Sequence, residues 1–345
     1  MGSARALAKL CTSQDAWRWL CGGVSVNYHG LADFRTAHGG LLDRLLTEHV
    51  AALSAAGAID LAEVVQDGVR VRASAGAGSY RRRKTLSQEL RKARRLVERL
   101  KRERDDDPDA SNRRVRAARE RAAAERERRV AAALDKLAGI EAERVRRAQT
   151  NKKRAGRQGQ PRVSTTDAGA RVMKMADGGF RPAWNCQLAT VAGGQVVIAA
   201  EAVANGSDRG LMRPMLARLA RRYGRPPRRH LVDGGFNKNA DTEWAAVRGT
   251  AVYGPPGQSR HGTDPYRVRA KDGPGVAAWR RRMRSAHGKA VYKRRAAGEC
   301  INARLRQWRL YQFTVRGLEK VNAVLRLYAL ANNILTAHRL GIAAA

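Results

Sequence analysis

The chain has 345 residues, of which 43 % are hydrophobic and only 5 % aromatic, so a core is feasible and must rest on Leu, Val, Ile and Ala. Lys and Arg number 68 against 31 Asp and Glu, a formal net charge of +37; such a chain repels itself alone, and its expected partner is a polyanion, nucleic acid before an anionic membrane. There is no apolar run of the roughly 18 residues that a bilayer span requires, no secretory pattern in Met1 to Leu20, and no C-x-x-C pair among Cys11, Cys21, Cys186 and Cys300, which argues against structural zinc. The expectation is a cytoplasmic chain with reduced thiols.

Residues 1–60 read as a small helical N-terminal domain, with breaks at Gly22-Gly23 and Asn27 to Gly30. At Val64 the period changes. Val69, Val71 and Ala73 alternate with Arg70, Arg72 and Ser74, a strand pattern, so residues 61–80 read as the first strands of a core. Residues 81–160 are different: Leu86, Leu90, Ala93, Val97 and Leu100 form a heptad seam in a stretch of Arg, Lys and Glu, and a second helix follows with Val130, Leu134, Leu137 and Ile140 on its apolar side. This predicts an antiparallel coiled-coil hairpin with its tip at Asp105 to Ser111 and a basic linker from Asn151 to Pro161.

Residues 161–345 return to the core. Trp184 to Thr190 and Gln195 to Val203 predict a hairpin around Gly193-Gly194. A helix over 210–223, a short strand ending at Asp233, a helix over 239–248 and a strand over 250–253 follow. Pro255 to Gly275 reads as loop, and residues 288–309 and 318–339 as two long helices. The plan is α/β, with the hairpin as an insertion.

Three acids stand out by position. Asp67 lies in a strand and precedes Gly68; Asp233 ends a strand and precedes Gly234-Gly235; Glu299 lies on a helix in the basic C-terminal part. Carboxylates at strand ends converge on one sheet edge, and a helical Glu can reach over it. Such a set suits Mg²⁺, which prefers oxygen ligands, and a pair of metal ions assists phosphodiester attack. Asp167 reads as a cap or turn residue, Asp177-Gly178-Gly179 as a β-turn, His230 as structural, and Trp184, Trp244, Trp279 and Trp308 as core.

Tyr292, Arg295, Glu299 and Arg306 fit the spacing Y-x2-R-x3-E-x6-K, with Arg in place of the final Lys. In this the chain resembles the DDE transposases of bacterial insertion sequences. Leu231 to Phe236 is similar to their second-Asp motif and Gln66 to Ala73 to their first-Asp strand. Trp19 to His29 with Asp33-Phe34-Arg35 resembles their helical N-terminal domain, Arg171 to Met175 and Gly179 to Asn185 their middle section, and Phe313 to Leu318 with Asn332-Asn333 their tail. The resemblance implies a ribonuclease-H-like catalytic core and two Mg²⁺ (or Mn²⁺) ions held by the catalytic Asp67, Asp233 and Glu299. It implies DNA-phosphate contacts from Tyr292, Arg295 and Arg306, and a homodimer acting on double-stranded DNA, both element ends and target, at the bacterial nucleoid. Family members carry more helical sequence before the part that resembles Ser3 to Leu10, so the N-terminal domain is expected to be partial. The alternative is a truncated, catalytically incompetent remnant that binds DNA.

Overall fold

The computed structural model describes residues 3–106, 113–150, 159–257 and 262–342. The chain divides into two compact units, one of residues 1–71, 184–313 and 318–345, the other of residues 72–183 and 314–317. The first unit opens with helices α1 (Ala4–Ser13), α2 (Asp15–Leu20), α3 (Tyr28–Ala37) and α4 (Gly39–Ala55), then enters strand β1 (Glu63–Arg72). Small polar side chains set two helix starts: Ser3 Oγ accepts from the Ala6 N–H at 3.3 Å, and Asn27 Oδ1 from the His29 N–H at 2.9 Å, satisfying donors that have no partner within the helix.

The second unit holds β2 (Tyr80–Arg81), α5 (Arg83–Asp106), α6 (Arg113–Thr150), β3 (Val163–Ser164), β4 (Arg171–Lys174) and the first residues of β5 (Phe180–Val191). The heptad seam is present: Leu86, Ala93 and Leu100 of α5 and Val130, Ala133 and Leu137 of α6 are buried. Ion pairs Arg83–Glu141, Arg94–Glu127 and Arg104–Glu120 flank it; the partners run in opposite directions along the two helices, which makes the pair antiparallel. The tip expected at Asp105 to Ser111 lies outside the described residues from Asp107 onward, as does the linker over 151–158. The unit extends from Arg72 to Ala183, beyond the 81–160 stretch. Asp177 makes the turn between β4 and β5, accepting from the Gly179 N–H at 3.1 Å, and Gly178 takes a φ of +82° there. Buried Asp167 accepts from the Gly169 N–H at 3.3 Å, a turn role as expected.

Back in the first unit, the rest of β5 is followed by β6 (Val197–Val203), α7 (Met212–Tyr223), β7 (Arg229–Leu231), α8 (Asn239–Val247), β8 (Ala251–Tyr253), α9 (Pro274–Arg284), α10 (Ala286–Lys293), α11 (Ala296–Gln307) and α12 (Leu318–Arg339). The sheet is mixed, with β5 next to β1, then β7, then β8; β1, β7 and β8 are parallel, and β6 pairs antiparallel with β5. One core packs Val65, Leu231 and Val252 of the strands, with Val232 just after β7, against Met212, Leu216, Val276, Trp279, Met283 and Val291 of the helices. Trp184 is buried as well. The outer strand β6 is covered by α12, whose asparagines replace a strand partner. Asn333 accepts from the Val197 N–H and donates to the Val197 carbonyl, both at 2.7 Å, and Asn322 accepts from the Ala202 N–H at 2.7 Å. That occupies backbone groups an open sheet edge would leave free.

Two expectations are corrected. The helix expected over 288–309 is two helices: α10 ends at Lys293, and tight three-residue turns, Arg295 N–H to Tyr292 O at 2.9 Å and Gly298 N–H to Arg295 O at 3.0 Å, redirect the chain into α11. The loop expected to run to Gly275 gives way to α9 at Pro274, where Pro occupies the first turn and needs no N–H partner. The cap of α9 comes from a distant helix. The Glu243 carboxylate on α8 accepts from the Gly275 and Val276 N–H groups at 2.9 and 2.7 Å. Glu243→Ala removes two charge-assisted hydrogen bonds and is expected to lower stability by about 2–3 kcal/mol, with Glu243→Gln retaining part of it; urea denaturation reads the difference, and an unchanged midpoint for the Ala variant would reject the cap.

Candidate active site

The first two acids are placed by strand register. Val65 of β1 pairs with Leu231 of β7 in parallel. Two residues further along each chain come Asp67 and Asp233, on the side that carries Val65 and Leu231 by the two-residue period of a strand. Asp67 Oδ1 accepts from the Gly68 N–H at 2.9 Å. Asp233 Oδ1 accepts from the Gly235 N–H at 2.8 Å, capping a single 3-10 turn over Gly234–Phe236. At Gly68 the absence of a side chain is a matter of space. A Cβ on Gly68 would lie 2.5 Å from Gln187 Nε2 and 2.6 Å from Asp208 Oδ1.

The third acid is placed by a close helix–strand contact. A Cβ on Gly298 of α11 would come within 2.8 Å of Val65 Cγ1 and 3.4 Å of Asp67 Cβ, so this position lets α11 lie directly on β1. Arg295, Glu299, Asn302 and Arg306, spaced four, three and four residues apart, share one side of the helix. Asn302 Nδ2 donates to Asp67 Oδ2 at 2.8 Å. Arg295 Nη2 binds Glu299 Oε1, and its Nη1 lies 3.7 Å from Asp67 Oδ2. The Arg295 guanidinium sits 6.0 Å from the centre of the Tyr292 ring. Arg306 is exposed and has no ion pair among the described residues. Tyr292, Arg295 and Glu299 are therefore gathered near the two aspartates, with Arg306 further along the same helical face. Asn302 and Gly298 belong to the site and carry no signal in the sequence, since an Asn or a Gly in a helix becomes informative only once its neighbour is known.

A fourth acid also lies nearby. Asp208 Oδ1 accepts from Asn185 Nδ2 and Gln187 Nε2, each at 2.8 Å, and Arg70 Nη2 stands 3.6 Å from its Oδ2. Behind it, Gln187 Oε1 accepts from Gln66 Nε2 at 2.8 Å, and Gln66 Oε1 is 3.0 Å from His230 Nε2. Gln66, Gln187 and His230 are fully buried or nearly so. Burial pushes His230 down to about 3, so the imidazole is neutral, in keeping with a structural role.

The electrostatics are those of a crowded acidic site. Burial pushes the Asp67 carboxyl up to about 6; Arg295 and the Gly68 N–H oppose the shift, and the negative Asp233 and Asp208 add to it. Burial also raises Tyr292, against the pull of Arg295 and with the push of Asp233 and Glu299. Burial works against the Arg295 charge, but Tyr292, Asp67, Glu299 and Asp233 together hold its pKa above the usual value.

Asp67, Asp233 and Glu299 offer an all-oxygen donor set, which suits a hard divalent cation. Among the described residues no three His, Cys, Asp or Glu side chains stand together as a metal-holding group; the shared positive partner of the three carboxylates is Arg295. Arg295 and the Gly68 N–H do not offset the burial of Asp67, whose carboxyl stays at about 6. The donor chemistry of these oxygens is what fits a cation. Neither a family model, nor a curated protein, nor a solved structure matches the chain.

Two predictions concern stability. Because the folded-state Asp67 carboxyl is raised, the folded protein holds more protons than the unfolded one between about pH 4 and pH 6, and stability falls as pH rises through that window. Asp67→Asn removes the penalty and is expected to stabilise the protein by up to about 3 kcal/mol above about pH 7, and by little near about pH 4; denaturant midpoints at the two pH values check it, and a pH-independent difference would reject the assignment. Gly298→Val drives a branched side chain into Val65 and should cost about 1–3 kcal/mol, measured the same way. A neutral result would mean that α11 does not lie on β1.

Proposed function

We propose that this chain is a DNA transposase that cuts phosphodiester bonds at the ends of an insertion sequence and joins them to target DNA. The observation that carries the reading is the placement of Asp67 on β1 and of Asp233 just beyond the end of the neighbouring parallel β7, with Glu299 on a helix seated against β1 by Gly298. The sheet adds support: a central first strand has an antiparallel hairpin on one side and two parallel strands on the other, an arrangement that suits a ribonuclease-H-like core. The sequence resemblance places acids at the same three positions. The net charge of +37 suits a polyanionic substrate.

In this reading Asp67, Asp233 and Glu299 hold divalent cations, Mg²⁺ or Mn²⁺, whose chemistry is to polarise the phosphodiester and lower the pKa of an attacking hydroxyl. Asn302 fixes the Asp67 carboxylate by its 2.8 Å hydrogen bond. Tyr292 and Arg295 bind phosphate beside the cut, and Arg306 binds the backbone one helical turn beyond Asn302. Its guanidinium offers a two-point phosphate contact where a Lys gives a point charge. Water attacks first and frees a 3′-hydroxyl, which then attacks target DNA; the phosphate passes from one oxygen to another at each step, and no covalent protein intermediate forms. The active species acts as a homodimer on duplex DNA.

The test is nicking of a duplex that carries the repeats flanking the gene, with and without Mg²⁺. The parent is expected to nick only with the metal. Asp233→Asn should lower the rate by at least about a hundredfold, since even outer-shell groups at metal sites cost 10- to 100-fold. Undiminished Mg²⁺-dependent nicking by Asp233→Asn would overturn the assignment. Salt-sensitive DNA binding with no nicking by the parent would favour a DNA-binding remnant instead.

A further inference from the structure

We infer that the outer faces of the α5–α6 hairpin form an arm that runs along duplex DNA and binds its phosphates. The inference rests on the reading of DNA as substrate, because charge alone suits any polyanion. Its structural basis is how the hairpin segregates charge. Three glutamates lie beside the seam and bind arginines of the opposite helix: Glu141 to Arg83, Glu127 to Arg94 at 3.3 Å, and Glu120 to Arg104 at 3.7 Å. The outer faces also carry Glu98 and Glu125, and Arg99 and Arg129 pair within their own helices with Glu103 and Glu125 at 3.6 and 3.7 Å; two sets of outer arginines remain without an ion pair. On α5, Arg91, Arg95 and Arg102 are spaced four and seven residues apart; on α6, Arg114, Arg121 and Arg128 are spaced seven apart. Each trio therefore shares one helix side. All six are exposed, and none makes an ion pair among the described residues.

Arg91 and Arg95, four residues apart, are like charges that destabilise a helix slightly when nothing answers them. A row of phosphates answers them. At about 1.5 Å per residue, the 24 residues of α5 extend about 36 Å, close to one turn of a DNA duplex at about 34–36 Å. Two other partners fit less well. A second copy of the arm would bring the same positive rows face to face. A lipid surface needs an apolar face to insert, and the leucines of the hairpin line its own seam, while the exposed Val115 and Val145 stand thirty residues apart on α6 and make no such face.

The experiment uses the full chain. Arg91, Arg95 and Arg102 are changed together to Gln, and separately Arg114, Arg121 and Arg128; affinity for a long duplex is then measured across a salt series. Each triple variant is expected to bind less tightly and to show a shallower dependence of log K on log salt, by about 0.9 for each phosphate that is no longer neutralised. The matching Arg→Lys variants keep the charge and should keep most of the parent slope. Circular dichroism should be unchanged, since no seam residue is altered. An unchanged slope and affinity in both Gln variants would overturn the arm; so would a change of oligomeric mass without a change of slope, which would assign the face to subunit pairing. A shallower slope in the arm variants, together with a parent that never nicks, would keep the arm and reject the transposase reading.

Discussion

The contact between α11 and β1 at Gly298 is the constraint on which the site depends. No side chain separates helix from strand at this point, because a Cβ would lie 2.8 Å from Val65. That closeness gives Asn302 its reach to Asp67 and sets Arg295 among the acids. It also demands the turn at Arg294-Arg295. A single straight helix from 288 to 309 would carry Tyr292 and Glu299 on one rigid rod; the break lets α10 pack its Val291 into the core with Trp279 while α11 turns to lie on the sheet. The four residues of the sequence motif are thus spread over two helices and their joint.

The site that results carries electrostatic tension. Arg295 lies between Asp67 and Glu299, and the charges of Asp233 and Asp208 are felt at Asp67 as well. The shift of Asp67 to about 6 records a charge that the fold itself disfavours. Groups held against their own preference are found at functional sites more than elsewhere. A stability-driven design would replace Asp67 with an uncharged residue and keep the Asn302 hydrogen bond.

Much of this was legible in the sequence. Asp67 and Asp233 stand at period changes that mark strands, and the leucine seam of α5 reads directly as a hairpin. What escaped was set by distant partners. The start of α9 is invisible locally because its cap, Glu243, comes from another helix more than thirty residues earlier. Gly298 and Asn302 are ordinary helical residues until β1 is beside them. Asp208 carries no signal in the sequence, and only the pairing of β5 with β6 brings Asn185 and Gln187 to it. The asparagines of α12 look like a polar flaw in an apolar helix; they serve as the missing neighbour of β6.

The buried chain from Asp208 to His230 has a direction. A carboxylate only accepts, so Gln187 must turn its amide NH₂ toward Asp208, which leaves its carbonyl oxygen toward Gln66. Gln66 must then present its own NH₂ to Gln187 and its oxygen to His230, and the imidazole must carry its proton on Nε2. One ionised group at the surface end thereby fixes the orientation of two amides and the tautomer of a histidine two strands away. Reversing any member would set two donors or two acceptors face to face in a dry interior. The floor beneath Asp67 is consequently polar yet has a single internal arrangement, and it can be stiff without being apolar.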